Sequence, residues 1–478
     1  MVWFKSELRQ YQVVCSSYWV LILSFGFLYG WLITFPLQGP LLEELATDSH
    51  DFQVVLLLFL GGHISGLAAA GITGYYFRFI LRYFSLGAVP CALLTLLVRN
   101  TPSAWWPFVF ICLGVFSGLA IISWATAFTN SVLPVQRGRT MAMAAAAAYL
   151  ILYSTNWLIQ WISLQSLFTI ATLLLLAMAV MLIYWHHKIT NKVKNNTYKE
   201  SRVNLLSHWP LLPFIFGIYA LAGLLYSVIY SHWWEMGHEH ELFHIALGVL
   251  PYIGFLFFAG TLADIRGRRI DAIIGSVIIG IGFMLFGILS GMPRDASIHV
   301  FIIGGFAFLN VFIWLVLADI SRGRQVSLYY SVGLAINNFS MFLGVLLGDR
   351  VMTITSGSEI LTVEIAGLFS FLSIAFIPVL TETLKRSTTL IPLKNAESLL
   401  MFFDSANLTH REEDVTKLLV AGISSDEIRQ RLHISTDTLK SHLRNIYGKV
   451  GVKNRLELTL LMVNELQKTN TPNVDTVQ

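Results

Sequence analysis

The feature that most limits what this chain can become is a succession of apolar stretches, each about as long as a bilayer core is thick. A helix needs about 20 mostly apolar residues to cross the hydrocarbon. Such stretches cover residues 18–37, 52–71, 83–98, 105–128, 141–160 and 164–185, and after a polar interval 209–230, 243–262, 270–290, 299–317, 328–347 and 361–380. This periodicity predicts an all-α fold whose larger part, residues 1–380, is a twelve-helix transmembrane bundle of six plus six. Composition agrees: 55% of residues are hydrophobic and only 13% charged, where an ordinary soluble chain carries roughly 25% charged residues. Cys15, Cys91 and Cys112 lie in or beside the apolar runs without paired spacing, so neither a disulfide framework nor a metal site is indicated. Lys5 and Arg9 precede an apolar run long enough to span and lacking a small-residue cleavage site, which argues against a removable signal peptide.

The basic residues orient the bundle. With the N-terminus inside, the inner segments up to Arg324 hold sixteen Lys and Arg residues, and the outer loops hold only Arg99, Arg294 and Arg350. Lys and Arg collect on the cytoplasmic side of membrane proteins. Losing one span would exchange the sides of every later loop and destroy the asymmetry. An even span count follows, with both termini cytoplasmic in a multi-pass inner (plasma) membrane protein.

Beyond residue 380 the composition changes abruptly. Residues 381–407, with Pro392, read as a cytoplasmic linker; residues 408–467 are charged and helical in period; residues 468–478 read as a flexible tail. Helix starts are marked at Thr409 with Glu412, at Ser424 with Glu427, and at Ser435 with Thr438, the first two with capping-box spacing. Gly422 stands where a helix-ending left-handed residue is wanted. Val415, Leu418, Leu419, Ile423, Ile428, Leu432, Ile434, Leu439, Leu443 and Ile446 recur at helical spacing and predict one small core. Two of the helices, joined by a short turn at His433-Ile434, make a helix-turn-helix, whose second helix enters the major groove of DNA.

The stretch LTHREEDVTKLLVAGISSDEIRQRLHISTDTLKSHLRNIYGKVGVKNRLEL resembles the LuxR-type DNA-binding domain, a small four-helix fold. Arg429 departs from the usual Ala and Leu439 from the usual Val; Arg429 must point outward or crowd the helix pair. The resemblance implies that Lys440, Ser441 and Arg444 face base edges, and that Thr436, Thr438, Lys449 and Lys453 lie where the family meets phosphates. Independently, Lys440 and Arg444 are four apart and share a helical face, and both residue types can read guanine and neutralise phosphate. A fourth helix near 454–464, with Leu456, Leu460 and Leu461, is the family's usual pairing surface, so a homodimer through this domain is implied.

The six-plus-six layout resembles the major facilitator superfamily. Gly260-Thr-Leu-Ala-Asp264-Ile-Arg266-Gly267-Arg268-Arg269 follows that family's loop motif, with Ile265 where a basic residue is usual, while the equivalent first-half loop keeps Arg78 and Arg82 but no aspartate. Asp264 is expected to accept from helix-end amides while the arginines stay at the headgroups. Pro134–Arg139 and Asp319–Arg324 look like a matching pair in the two halves. Ion-coupled carriers place ionisable groups at mid-membrane depth; here His63 is the main one, and a hydrogen-bonded packing role competes with a ligand role. Trp31, Trp124, Trp157, Trp161 and Trp314, with Asn310, Asn337 and Asn338, are candidates to line a small-molecule cavity or to anchor at the interfaces. The outer segment from His232 to His244 is rich in His and Glu, and His240 and His244 are spaced for one metal, yet no matching ligand set accompanies them. No nucleophile elbow, phosphate loop or zinc-hydrolase motif occurs, so no enzyme, cofactor or metal is expected.

The expectation is a membrane-bound one-component transcriptional regulator with DNA, membrane lipid and an unknown small-molecule ligand as partners. The alternative is a working small-molecule transporter with an appended DNA-binding regulatory domain.

Overall fold

The computed structural model describes residues 2–37, 39–45, 49–193, 210–237, 250–289, 298–321, 325–354, 402–420 and 425–452, with Gly367, Arg455, Glu457, Leu458, Leu461 and Met462 as isolated positions. Helix is the only regular structure among them. The chain divides into two compact units, Met1–Thr383 and Leu384–Gln478.

The first unit contains α1 (Val2–Thr34), a short α2 (Pro40–Leu45), α3 (Ser49–Tyr76), α4 (Ala88–Leu97), α5 (Trp106–Ser131), α6 (Arg137–Leu158) and α7 (Leu164–Val193), followed by α8 (Leu211–Gly237), α9 (Leu250–Arg266), α10 (Arg269–Ile288), α11 (Gly304–Ile320) and α12 (Gln325–Ile354). Helices thus stand at the first eleven expected spans, while the twelfth, 361–380, lies outside the described residues apart from Gly367. Eight helical segments among the described residues are long and apolar enough to cross a membrane. The third span is assembled from pieces: a 3-10 turn over Arg78–Gly87 leads into α4. Helix α1 starts well before its apolar run and is kinked at Tyr18 (φ −126°, ψ 17°). The unit is a multi-pass membrane bundle.

In lipid the helices gain little from hydrophobicity against one another, so close backbone approach must hold them. Small residues permit it here. A Cβ on Gly62 or Gly66 of α3 would collide with the Ile111 or Val115 carbonyl of α5. Helices α8 and α12 repeat the device, where Gly223 meets the Met341 carbonyl and Gly344 the Ala220 carbonyl. Across the two halves, Gly138 of α6 and Gly260 of α9 touch backbone to backbone.

The second unit contains α13 (His410–Val420), α14 (Ser425–Leu432) and α15 (Thr436–Val450). Phe403, Val415, Leu419, Ile428, Leu439, Ile446, Leu458 and Met462 make its buried core, with Leu418, Leu432, Ile434 and Leu443 packed at its edge. Ile423 lies outside the described residues. Phe403 sits well ahead of residue 408: positions 402–405 are helical and bring Phe402 and Phe403 onto this core.

Candidate nucleic-acid interface

Local chemistry sets each helix of the second unit. At the start of α13 the Thr409 amide donates to Glu412 Oε2 (2.9 Å) and the Glu412 amide to Thr409 Oγ1 (3.4 Å), the reciprocal capping box the spacing predicts. Residues 421–424, with Gly422 and the Ser424 cap, lie outside the described residues. After α14 the chain reverses at His433, whose φ of 53° is left-handed, and the Ile434 amide donates back to the Arg429 carbonyl (3.0 Å). Ser435 Oγ then accepts from the Thr438 amide (3.1 Å) to cap α15, which ends on left-handed Gly451 (φ 74°).

These caps fix the rotation of α15. Leu439 and Ile446 point into the core, so the opposite face presents Asp437, Lys440, Ser441 and Arg444 to solvent. A helix of 15 residues is about 22 Å long, and the major groove admits one. The Lys440 ammonium lies 3.6 Å from Asp437 Oδ1, with both side chains largely exposed. Such an exposed pair holds little energy and leaves the ammonium available to a competing phosphate or base. Thr438 Oγ1 is 2.8 Å from Ser435 Oγ, and Thr436 Oγ1 accepts from the Arg429 guanidinium. Arg429, foreign to the family pattern, therefore reaches across to the start of α15 and does not crowd the helix pair. Lys449 is placed differently from Lys440 and Arg444. Its ammonium donates to Glu412 Oε2 (2.7 Å) and to the Asn407 carbonyl (2.9 Å), fastening the end of α15 to the start of α13. Burial opposes ionisation of Glu412, but the Lys449 ammonium and the Thr409 amide and hydroxyl outweigh it and hold the carboxyl below its usual range. Lys453, Leu456 and Leu460 lie outside the described residues; Leu461 is half-buried.

Two residues that sequence reasoning left without a role complete the domain. Arg455 donates to the Leu419 carbonyl at the end of α13 (2.9 Å), and burial lowers its pKa. Phe403 closes the core from the side of the linker. Arg455 lies within the stretch that resembles the family, whereas an isolated Phe-Phe pair carries no periodic signal.

In the membrane unit His63 is buried, with Nδ1 2.7 Å from Ser117 Oγ of α5 and its ring 5.7 Å from Phe59, which matches the packing role. The tryptophans divide. Trp31, Trp124 and Trp314 are buried and Trp157 and Trp161 exposed, so they do not line one cavity together. The arginines of the loop motif divide as well: Arg266 and Arg269 are exposed, while Arg268 turns inward. Asp264 accepts from the Gly138 and Arg139 amides at the start of α6 (2.8 and 3.0 Å). Around it Arg268 reaches Asp264 (3.1 Å) and Asp319 (2.9 Å), Arg137 reaches Asp319 (2.6 Å), and Arg139 reaches Glu7 (2.6 Å) and Asp264 (3.2 Å). Arg268 is drawn from the headgroups because two carboxylates lie within its reach. Arg322 and Arg324 lie outside the described residues, as does the His240–His244 segment.

Residues 406–462 match the family described as bacterial regulatory proteins, luxR family. The same region is 46% identical over 54 residues to the probable csgAB operon transcriptional regulatory protein of Salmonella typhimurium, covering 11% of this chain and 25% of that protein. It is 40% identical over 60 residues to the HTH-type transcriptional regulator MalT of Vibrio campbellii, covering 13% of this chain and 7% of that one. The chain thus spans a quarter or less of the length of these relatives. Among solved structures, the major facilitator superfamily proton:xylose symporter XylE bound to 6-bromo-6-deoxy-D-glucose superposes with a TM-score of 0.59 at 14% identity, over 78% of this chain and 96% of that one. At that identity the likeness establishes the fold.

Proposed function

We propose that this chain, a major-facilitator bundle carrying a LuxR-type helix-turn-helix domain, is a membrane-bound one-component transcriptional regulator. The observation that carries the reading is α15: its apolar side is locked into the core, and its solvent side presents Lys440, Ser441 and Arg444 in one stripe. The regulators it resembles in this region are named for control of transcription. On this reading Lys440, Ser441 and Arg444 read base edges. Thr436, Thr438 and Lys453 meet phosphate, and Lys449 does so only by giving up Glu412. The domain pairs with a second copy through the helix containing Leu456, Leu460 and Leu461. Both termini are cytoplasmic in the inner membrane, the bundle senses a small molecule, and no chemistry is catalysed.

Transport stands as the second reading, and the fold alone does not favour it. Against it, the mid-depth ionisable group His63 is engaged by Ser117 rather than turned toward a path.

The test is promoter occupancy in cells, measured by crosslinking and sequencing with the full-length protein. Discrete genomic sites, lost in the Lys440→Ala, Arg444→Ala double variant while the protein stays in the membrane fraction, are expected. Equal occupancy by wild type and double variant would refute the assignment.

A further inference from the structure

Arg429 of α14 stands where the usual residue of the family is Ala. An arginine at that place must order a long, rotamer-rich side chain that alanine does not have. The core gains nothing in return: its neighbour Ile428 fills it, while Arg429 is half-exposed. The return on ordering this side chain has to be sought outside the core.

The turn fixes where the guanidinium goes. Left-handed His433 folds α15 back against α14, and the Ile434 amide closes the turn on the Arg429 carbonyl (3.0 Å). With its backbone held at the turn, Arg429 sends its side chain to the first residue of α15, where Nη1 donates to the Thr436 hydroxyl. The neighbouring hydroxyls are engaged with one another instead. Ser435 Oγ accepts from the Thr438 amide (3.1 Å) and lies 2.8 Å from Thr438 Oγ1. All four residues from Ser435 to Thr438 are exposed.

This pairing suits a phosphate. A hydroxyl that accepts from an arginine keeps its own proton to donate, and accepting polarises that O–H. A guanidinium carries five donors in one plane and can span a hydroxyl and a phosphate oxygen together. Phosphates are also where such a group would meet DNA. In a helix-turn-helix the first helix crosses the DNA backbone while the second enters the groove, so the backbone passes the seam between α14 and the start of α15. Charge argues the same way. Asp437, in the first turn of α15, is exposed and holds the Lys440 ammonium at 3.6 Å. An acid there repels phosphate and takes up part of the Lys440 charge. Arg429, brought to the adjacent Thr436, restores a positive charge to this end of the recognition helix.

We infer that Arg429 contacts the DNA phosphate backbone beside Thr436, extending the footprint of the domain by one phosphate beyond the family pattern. The inference rests on the reading of this domain as DNA-binding. Three variants divide the roles of the side chain. Arg429→Ala restores the residue usual in the family, a strong helix former, so the fold is kept. Arg429→Gln can still donate to Thr436 and brace the turn, but brings no charge. Arg429→Lys keeps the charge. The experiment titrates full-length protein in detergent with a fluorescent DNA duplex of mixed sequence over a range of salt concentrations, because binding without sequence preference is carried by phosphate contacts. Arg429→Ala and Arg429→Gln should each lower the slope of log affinity against log salt by about 0.9 per bound domain, which amounts to about fifteenfold weaker binding at about 0.05 M salt and about fivefold at about 0.15 M. Arg429→Lys should hold the wild-type slope. A wild-type slope in Arg429→Ala overturns the inference, and so does an Arg429→Gln variant that binds as tightly as wild type, since a neutral brace would then suffice. The Lys440→Ala, Arg444→Ala variant in the same titration separates this contact from the broader reading. If that variant loses affinity and Arg429→Ala does not, the contact falls and DNA binding stands; if wild type does not bind the duplex, both fall.

Discussion

Removing the Glu412 carboxylate should unlatch the DNA-binding domain, and the structure sets the size of the effect. Glu412 is 3% exposed and has two duties. It satisfies the Thr409 amide at the start of α13, and loss of a helix cap costs about 1 kcal/mol. It also receives the Lys449 ammonium at 2.7 Å, a charge-assisted bond of the kind worth about 1.5–3 kcal/mol. Lys449 keeps 36% of its side-chain surface in water, so solvent takes up part of that loss and the lower figure applies. Glu412→Ala should therefore cost about 2–3 kcal/mol, and at 4–8 °C per kcal/mol for a domain this small, unfolding of the unit Leu384–Gln478 should fall by roughly 10–20 °C. Glu412→Gln keeps an acceptor for both partners and should cost only about 1 kcal/mol. The pH dependence supplies an independent check. Because the folded pKa of Glu412 is lowered, its contribution is fully present above the unfolded value of about 4.3 and is lost as pH falls through the folded value. The gap between wild type and Glu412→Gln should then narrow as pH falls below the unfolded value and close once the folded value is passed. Circular dichroism melts across pH measure both quantities. A Gln variant as damaged as the Ala variant, or a gap that persists in acid, would refute the latch.

Lys440→Ala should weaken specific DNA binding by about 1–3 kcal/mol if the side chain reads a base edge, whereas a residue that touches only phosphate should flatten the salt dependence of binding without changing sequence preference; titrations at several salt concentrations tell these apart. Arg139→Met should destabilise the bundle by about 3–5 kcal/mol, because Asp264 and Glu7 lose a shared partner in a buried network, read as a lower unfolding temperature in detergent. Asp271→Asn should leave stability unchanged or raise it, since the Asp271 carboxylate is fully buried and both its oxygens lack a hydrogen-bond partner; a loss beyond 1 kcal/mol would mean that the charge is used. An outside-active reporter inserted near Gly237 should be active and one fused after Leu384 silent, and the reverse pattern would overturn the topology.

Much of this architecture is legible because its causes are local in sequence. A capping box needs residues three apart, and Thr409–Glu412 forms as the spacing predicts. The same holds for the Ser435 cap, and for the alternation that turns Leu439 and Ile446 inward and Lys440 and Arg444 outward. Apolar runs find membrane spans for the same reason, since each span is one continuous segment. The 3-10 turn before α4 and the kink at Tyr18 were invisible, because apolar content is blind to how the backbone winds.

What the sequence could not disclose depends on approach between distant segments. Asp264 accepts from amides more than 120 positions earlier, and the pull of Asp319 on Arg268 appears only once α9 and α11 are side by side. Lys449 shows how such contacts redistribute roles. Its place in the family pattern marks it for phosphate, yet Glu412 and the Asn407 carbonyl already hold its ammonium, so binding a phosphate there would mean breaking the latch of its own domain. Lys440 has only an exposed, weakly held aspartate to leave. Two lysines on one helix, nine positions apart, are thus unequal candidates for DNA: what each must give up before it can bind ranks Lys440 first.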